Sequence, residues 1–408
     1  MEQNIYLARH PILDKYNRIF AYELLYRSET GNIFPGIDGD VASRSLLHRL
    51  LMDFGIKRIS GGKPVFINFT ESYLMDDSIL LLPPEHVVLE ILETAEPTPE
   101  LLSRCRFLQE KGYKFALDDF EWNEKWIPFF EVVNFVKVDF ILVKDKERGE
   151  ILKRIKNKQI FFIAEKVENN QDFIEAKQLN YHFFQGFFFC KPSILTTKKI
   201  PENRLNYFQV LQEINKPDFS FDALEIYFKR DLSLTYKLLK FINSSYFNLP
   251  NKVTSIKSSL TLLGYQTLRK WVTLLALDSL IDNKPQELIR ISLTRALFCE
   301  AIGRLIEKKN STDNYFLTGL FSLIDAILDK SRDDIFSEIS VDPIIINTLN
   351  AEKTVITPVL ELSISMEQGE FELAGVLAQN KGLDKKLVIE TFLSSMMIAD
   401  SLIESSEC

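Results

Sequence analysis

The sequence predicts a closed α/β barrel followed by an all-α domain. Three observations carry this expectation. Short β-rich apolar runs alternate with stretches of helical spacing through the first half of the 408-residue chain. About eight such runs fall within roughly 200 residues, a density of strands and helices that suits a parallel sheet closed on itself. After Pro192 the β-rich runs stop, and apolar residues recur at the 3.6-residue spacing of amphipathic helices. A chain of this length fits two domains at ~100–200 residues each. The expected division is a barrel over residues 1–194, a linker over 195–206 and a helical domain over 207–408. An open, doubly wound sheet is the alternative for the first half, but no GxGxxG follows its early strands.

Taken in order, the strand candidates are Ile5–Ala8, Ile19–Leu25, Pro64–Asn68, Val87–Ile91, Lys114–Asp118, Val132–Asp139, Gln159–Glu165 and Tyr181–Phe188. His10-Pro11, after the first, reads as a turn that could line a pocket. One helix is marked at both ends. Thr98 is a natural N-cap, Pro99 takes the first helical position, ELLSRCRFLQEK follows, and Gly112 closes it. The polar segment SILTTKKIPENRLN reads as the linker. Beyond it, SFDALEIYFKRDLSLTYKLLKFINSSYF, SSLTLLGYQTLRKWVTLLALDSLI and SLTRALFCEAIGRLIEK carry helical periodicity.

Composition narrows the function. The chain is 46% hydrophobic and 26% charged, with 15 Gly and 15 Pro, the profile of a globular protein. A net charge of −8 leaves no large basic surface, so nucleic acid is not an expected partner. Cys105, Cys190, Cys299 and Cys408 form no CxxC pair, which fits a reducing compartment better than a disulfide framework or a zinc knuckle. The opening MEQNIYLARHPILDKYN lacks an apolar signal core, and no uncharged apolar run approaches the ~20 residues of a membrane span. A soluble cytoplasmic protein without a membrane partner is expected.

A barrel of this kind carries its chemistry at the C-terminal ends of its strands. Glu23 and Arg27 lie in YELLYR, Asn68 ends VFIN, and Glu90 lies in VVLEILET. Asp118 and Asp119 end FALDD, Lys137 and Asp139 lie in VKVD, Glu165 and Glu168 in IAEKVE, and Gln185 in FFQGFFF. Surface turns also favour Asp and Asn, so one such residue means little; a succession of strand ends does. Acids pooled on one rim repel unless cations neutralise them. Oxygen ligands without a local His or Cys cluster suit Mg²⁺ or Mn²⁺. Adjacent aspartates can reach two ions ~3.5–4 Å apart, a geometry used for in-line attack on phosphodiesters.

In order, YELLYR, FINF, LEILET, LDDF, VKVD, AEKVE and FQGFFFCKP make the first ~195 residues resemble the EAL domain, the bacterial phosphodiesterase that linearises cyclic di-GMP. The resemblance implies a TIM-like barrel whose first strand is antiparallel to the others. It implies that Glu23, Asn68, Glu90 and Asp118 ligate one metal, with Asp118 and Asp119 serving a second. Lys137 would hold or polarise the attacking water, and Glu165 would be its general base. Arg27, Gln185 and Asp139 would bind substrate, Arg27 on a phosphate. Glu93 and Glu168 would support the site. Three departures stand out: Leu24 replaces the name-giving Ala, Phe120-Glu121-Trp122-Asn123 replaces a Gly-rich loop that Glu93 would anchor, and Lys166 replaces a glycine. Lys166 could neutralise charge where a cation belongs, or point to solvent. The intact acid set favours an active enzyme; the altered loop favours a receptor or adaptor that binds without turnover.

The helical half resembles the HDOD domain, a relative of HD metal-dependent phosphohydrolases. RDLSLTYKLLKFINSSYF and KVTSIKSSLTLLGYQTLRKW carry the resemblance, with Asn243-Ser244 and Leu263-Gly264 as its best markers. The four histidines are His10, His48, His86 and His182, so this half has none with which to build a His/Asp metal centre. It is expected to bind an unidentified protein partner or to regulate the barrel. Asn243 reads as a hydrogen bonder in a helix connection. His182 reads as a packed ring and Cys190 as a buried, inert thiol. A homodimer is expected, since the family's barrels pair near the loop after the two aspartates.

Overall fold

The computed structural model describes residues 5–28, 55–155, 159–191, 210, 213–214, 219–243, 247, 249–280, 284–307, 312–338 and 341–407. The expected linker, 195–206, lies outside the described residues. Strands β1 (Ile5–Asp14), β2 (Ile19–Ser28), β3 (Val65–Phe69), β4 (Val87–Ile91), β5 (Lys114–Leu117), β6 (Phe135–Asp139), β7 (Phe161–Glu165) and β8 (Phe183–Gln185) close in sequence order into a barrel. β1 is antiparallel to both β2 and β8, and the remaining neighbours are parallel. The barrel followed by helices is the predicted fold class, with the reversed first strand the resemblance implied.

Local differences have local causes. β1 does not turn at His10-Pro11 but continues through them, pairing Pro11 with Tyr22 and then Ile12 with Gln185. The turn comes after Asp14, whose Oδ1 accepts the Tyr16 and Arg18 N–H groups while Asn17 takes a left-handed conformation (φ +61°). β6 starts at Phe135 rather than Val132, because the 3₁₀ segment Glu124–Glu131 occupies the approach. The helix Pro99–Glu110 forms as marked, with Thr98 Oγ1 accepting the Leu101 N–H at 3.2 Å. Cys105 and Cys299 are buried, whereas Cys190 is only half-buried, a correction to the expectation of a buried thiol.

Strand alternation builds the barrel interior in layers. Ile12, Ala21, Phe66, Val88, Ala116, Phe135 and Ile163 form a buried apolar cluster, against which Phe20 and Phe183 pack with their rings 3.9 Å apart. Residues two positions apart on a strand share a face. The next inward positions are therefore Glu23 after Ala21, Asn68 after Phe66, Glu90 after Val88 and Asp118 after Ala116. Lys137 follows Phe135, Glu165 follows Ile163 and Gln185 follows Phe183. An apolar floor thus carries a polar layer above it.

Gly186 closes β8 against the end of β7. It has φ +140°, and a Cβ there would stand 2.2 Å from the Val167 carbonyl oxygen and 2.5 Å from its nitrogen. Val167 N–H donates to the Gln185 carbonyl (3.0 Å), and Phe188 N–H to the Val167 carbonyl (3.1 Å).

The chain forms two compact units. The first combines Met1–Lys191 with Glu361–Leu393, and the second combines Pro192–Leu360 with Ser394–Cys408. Within the first, the turn at Gly369 (φ +74°) packs on the barrel strand β2, where a Cβ would meet Leu25 Cδ1 at 3.0 Å. In the second, the segment of helical periodicity over 220–247 holds two helices, Phe221–Arg230 and Leu232–Ile242, separated where Asp231 accepts the Leu234 N–H as an N-cap. The helix Ile256–Leu280 bends at Gly264 (φ +67°). Trp271 stacks with Phe228 and Phe241 in this unit's core. Asn243 accepts the Val253 N–H (2.7 Å) and donates to the Leu239 and Val253 carbonyls, so it does bond a helix connection. No helix among the described residues is long and apolar enough to cross a membrane.

Gly186→Ala should cost well over about 1 kcal/mol, since both its conformation and its space exclude a side chain. Chemical denaturation with an unchanged midpoint would contradict this account of the β7–β8 closure.

Candidate active site

Seven strands deliver the polar layer, and ladder hydrogen bonds continue past their ends to hold it. Asp118 N–H donates to the Ile91 carbonyl, Phe120 N–H to Lys137 and Phe140 N–H to Glu165, at 2.9–3.0 Å. At the centre stands Lys137, fully buried. Its Nζ lies 2.6 Å from Glu90, 2.7 Å from Asp118, 2.8 Å from Glu165 and 3.5 Å from Glu23. Asn68 Nδ2 donates to Glu23 Oε1 at 3.0 Å, and Gln185 Nε2 donates to Glu23 Oε2. Glu23, Asn68, Glu90, Asp118, Lys137, Glu165 and Gln185 are therefore brought together.

One ammonium cannot neutralise four carboxylates, and their acidities separate accordingly. Burial, with repulsion from neighbouring acids, pushes Glu90 and Glu165 well above the usual carboxylate range and raises Asp118 despite Lys137. Burial acts on Glu23 in the same sense, but Lys137 and the amides of Gln185 and Asn68 outweigh it and hold Glu23 low. Burial opposes the charge on Lys137, and the four surrounding acids overcome that and raise it well above its ordinary value.

The other predicted residues stand further out. Asp139 lies two positions beyond Lys137; its Oδ1 accepts the Ile141 (2.6 Å) and Leu142 (2.9 Å) N–H groups, and its Oδ2 accepts from Lys166. Asp119, left-handed at φ +38°, also meets Lys166, at 3.2 Å. Lys166 thus turns toward the acids rather than away from them. Glu93 and Glu168 are exposed and make no side-chain hydrogen bond or ion pair among the described residues. Arg27 pairs with Tyr6 along β2, and its side chain lies outside the described residues. The loop after Asp119 is pinned by aromatic contacts, Phe120 and Trp122 on Phe130 and Trp126 on Phe129.

One neighbour of the layer was legible only in part, as a turn that could line a pocket. His10 pairs with Glu23 across β1 and β2, packs edge-on to Phe187 at 5.5 Å, and hydrogen-bonds the Glu367 backbone; burial lowers its pKa below the usual imidazole value. Its strand position gave no sequence signal once Pro11 suggested a turn, and nothing in the sequence ties it to Glu367. His182 is a packed ring as read: its Nδ1 accepts the Phe162 N–H at 3.0 Å.

The layer's chemistry fits one divalent cation. Its donors are oxygens, its carboxylates outnumber its ammonium, and Glu90 Oε2, Glu165 Oε2 and Gln185 Oε1 are buried with no hydrogen-bond partner. Among the described residues no three acidic, imidazole or thiol groups are gathered at coordination spacing, because the acids close on Lys137 rather than on a shared centre. The outer pair does not fit a second ion, since the Lys166 ammonium already bridges Asp119 and Asp139.

Lys137→Met removes the only ammonium in contact with these four acids among the described residues. Breaking a buried ion pair from one side costs about 3–5 kcal/mol. The loss should deepen as pH rises and the acids ionise, and Mn²⁺ should restore part of it. Thermal unfolding showing wild-type stability across the pH range would contradict the central role of the ammonium.

Two domain families match the chain: the EAL domain over residues 40–192 and the HDOD domain over residues 200–340. The Bacillus subtilis (strain 168) protein YuxH, itself uncharacterized, is 32% identical over 412 residues, covering 98% of this chain and 99% of YuxH. The Vibrio cholerae serotype O1 cyclic di-GMP phosphodiesterase CdgJ is 31% identical over 373 residues, 90% of this chain and 86% of CdgJ. Among solved structures, Klebsiella pneumoniae BlrP1 in its manganese and cyclic di-GMP complex aligns at 22% identity and TM-score 0.38, over 46% of this chain and 55% of BlrP1. The chain, an EAL barrel joined to an HDOD helical region, belongs to the EAL–HDOD family of these relatives.

Proposed function

We propose that this protein is a metal-dependent phosphodiesterase that opens cyclic di-GMP to linear pGpG. The observation that carries the proposal is the buried layer in which Lys137 touches both Glu165 and the acids proposed to hold a cation. The relation to CdgJ, named a cyclic di-GMP phosphodiesterase, points the same way. Glu23, Asn68, Glu90 and Asp118 would hold one Mg²⁺ or Mn²⁺, which would supply Lewis acidity for attack on a phosphodiester. Lys137 donates a hydrogen bond that orients the water. Glu165, whose carboxyl burial holds above the usual carboxylate range, takes the water's proton as the new P–O bond forms. The 3′-oxygen leaves phosphorus and acquires a proton, giving a 5′-phosphate on the linear product. Gln185 positions Glu23 through its amide, and Arg27 is assigned to a substrate phosphate.

A second reading has its own observation. The Lys166 bridge to Asp119 and Asp139 favours a receptor that binds the dinucleotide with little turnover. In either case the helical region, with no histidine beyond residue 182, serves as a regulatory or protein-binding module.

Glu165→Gln should lower turnover by ~10²–10⁴ while cyclic di-GMP binding survives. Because the base must be ionised, wild-type kcat/KM should fall as pH drops through the raised Glu165 value, and this acid limb should vanish in the variant. Glu23→Ala should instead shift the metal requirement to higher Mg²⁺ or Mn²⁺. Chromatographic assay of linear product decides the matter. Tight binding without product in either metal would give the receptor reading, and neither binding nor product would overturn both.

A further inference from the structure

We propose that the Lys166 ammonium is a tethered cation that takes the place of a second divalent ion, leaving the barrel with one metal site. The proposal rests on the reading of the inner acid layer as a metal site. It does not depend on whether the site turns substrate over.

Both partners of the contact are held by backbone, not by chance rotamers. Lys166 is left-handed (φ +52°), between Glu165 at the end of β7 and Val167, whose N–H is bonded to Gln185 and whose carbonyl is bonded by Phe188. Gly186 packs on Val167 so closely that no side chain fits. That pinned bend directs Lys166 toward Asp119, itself left-handed and followed by Phe120, whose N–H is bonded to Lys137. A left-handed L-residue is disfavoured by contact of its Cβ with its own backbone, so this lysine occupies a position where glycine would be easier.

The carboxylates are consumed by the arrangement. Asp139, 2% exposed at its side chain, spends one oxygen on the Ile141 and Leu142 N–H groups and the other on Lys166. Asp119 presents both oxygens to the same ammonium, at 3.2 and 3.4 Å. Asp118, which a second ion would share, is in contact with Lys137 at 2.7 Å. A divalent ion at Asp119 would thus face an ammonium already in place, while Asp118, Asp119 and Asp139 are each already in contact with a lysine.

Mn²⁺ binding to the full chain, read by electron paramagnetic resonance and calorimetry, tests this without reference to turnover. The wild type should bind one ion per chain. Lys166→Gly, which keeps the left-handed bend and removes the ammonium, should bind two, and adding Asp119→Asn should return the count to one. Lys166→Arg should stay at one. Two ions in the wild type, or one ion in a folded Lys166→Gly protein, would overturn the tethered-cation proposal while leaving the inner site intact. No ion in the wild type would overturn the inner site as well, and circular dichroism separates either result from misfolding.

Discussion

Everything at the mouth of this barrel depends on a single buried ammonium. Among the described residues, Lys137 is the ammonium in contact with four carboxylates that the strands cannot move apart. At ~4 Å and an effective dielectric of ~20, each unit pair is worth about 4 kcal/mol, so repulsion among the acids would dominate without it. The same charge divides the acids, holding Glu23 ionised while burial leaves Glu90 and Glu165 with raised affinity for protons. The proposed proton acceptor and the acids proposed to hold a cation are thus distinguished by environment rather than by residue type.

The fold and the site come from one pattern. Phe66, Val88, Phe135, Ile163 and Phe183 fill the barrel floor, and the position two residues later on each strand is polar. The pleat that packs the core therefore aims the chemistry, and a shift of one residue in any strand would bury the acid outside the barrel. The β7–β8 end adds a second constraint. Gly186 and the left-handed Lys166 form a tight bend that fixes Glu165 on one side and Gln185 on the other.

This explains what could be read in advance. The strands that carry Asn68, Glu90, Asp118 and Glu165 at or near their ends were legible because apolar runs stopping at polar residues mark both a buried face and its edge. The capped helix Pro99–Glu110 was legible from Thr98 and Pro99. Three features of the barrel were not. β1 runs past Pro11 because register with β2 and β8 outweighs the missing N–H. The direction of Lys166 follows from a backbone angle that residue type does not reveal. The approach of Glu367 to His10, and of Gly369 to Leu25, joins the far end of the chain to the barrel through contacts with no local signature. In the helical region, periodicity gave the helices but not the break at Asp231, where a side-chain cap overrides a continuing apolar pattern.

The central claim is that the barrel's acid layer is a site for one divalent cation, completed by two fixed ammonium groups. A crystal structure of the intact protein grown with Mn²⁺ and cyclic di-GMP, recorded at the manganese absorption edge, tests it most directly. The account predicts one anomalous peak per chain, among Glu23, Asn68, Glu90 and Asp118, with Lys166 still bridging Asp119 and Asp139. A second peak beside Asp119, or no peak within the layer, would contradict it.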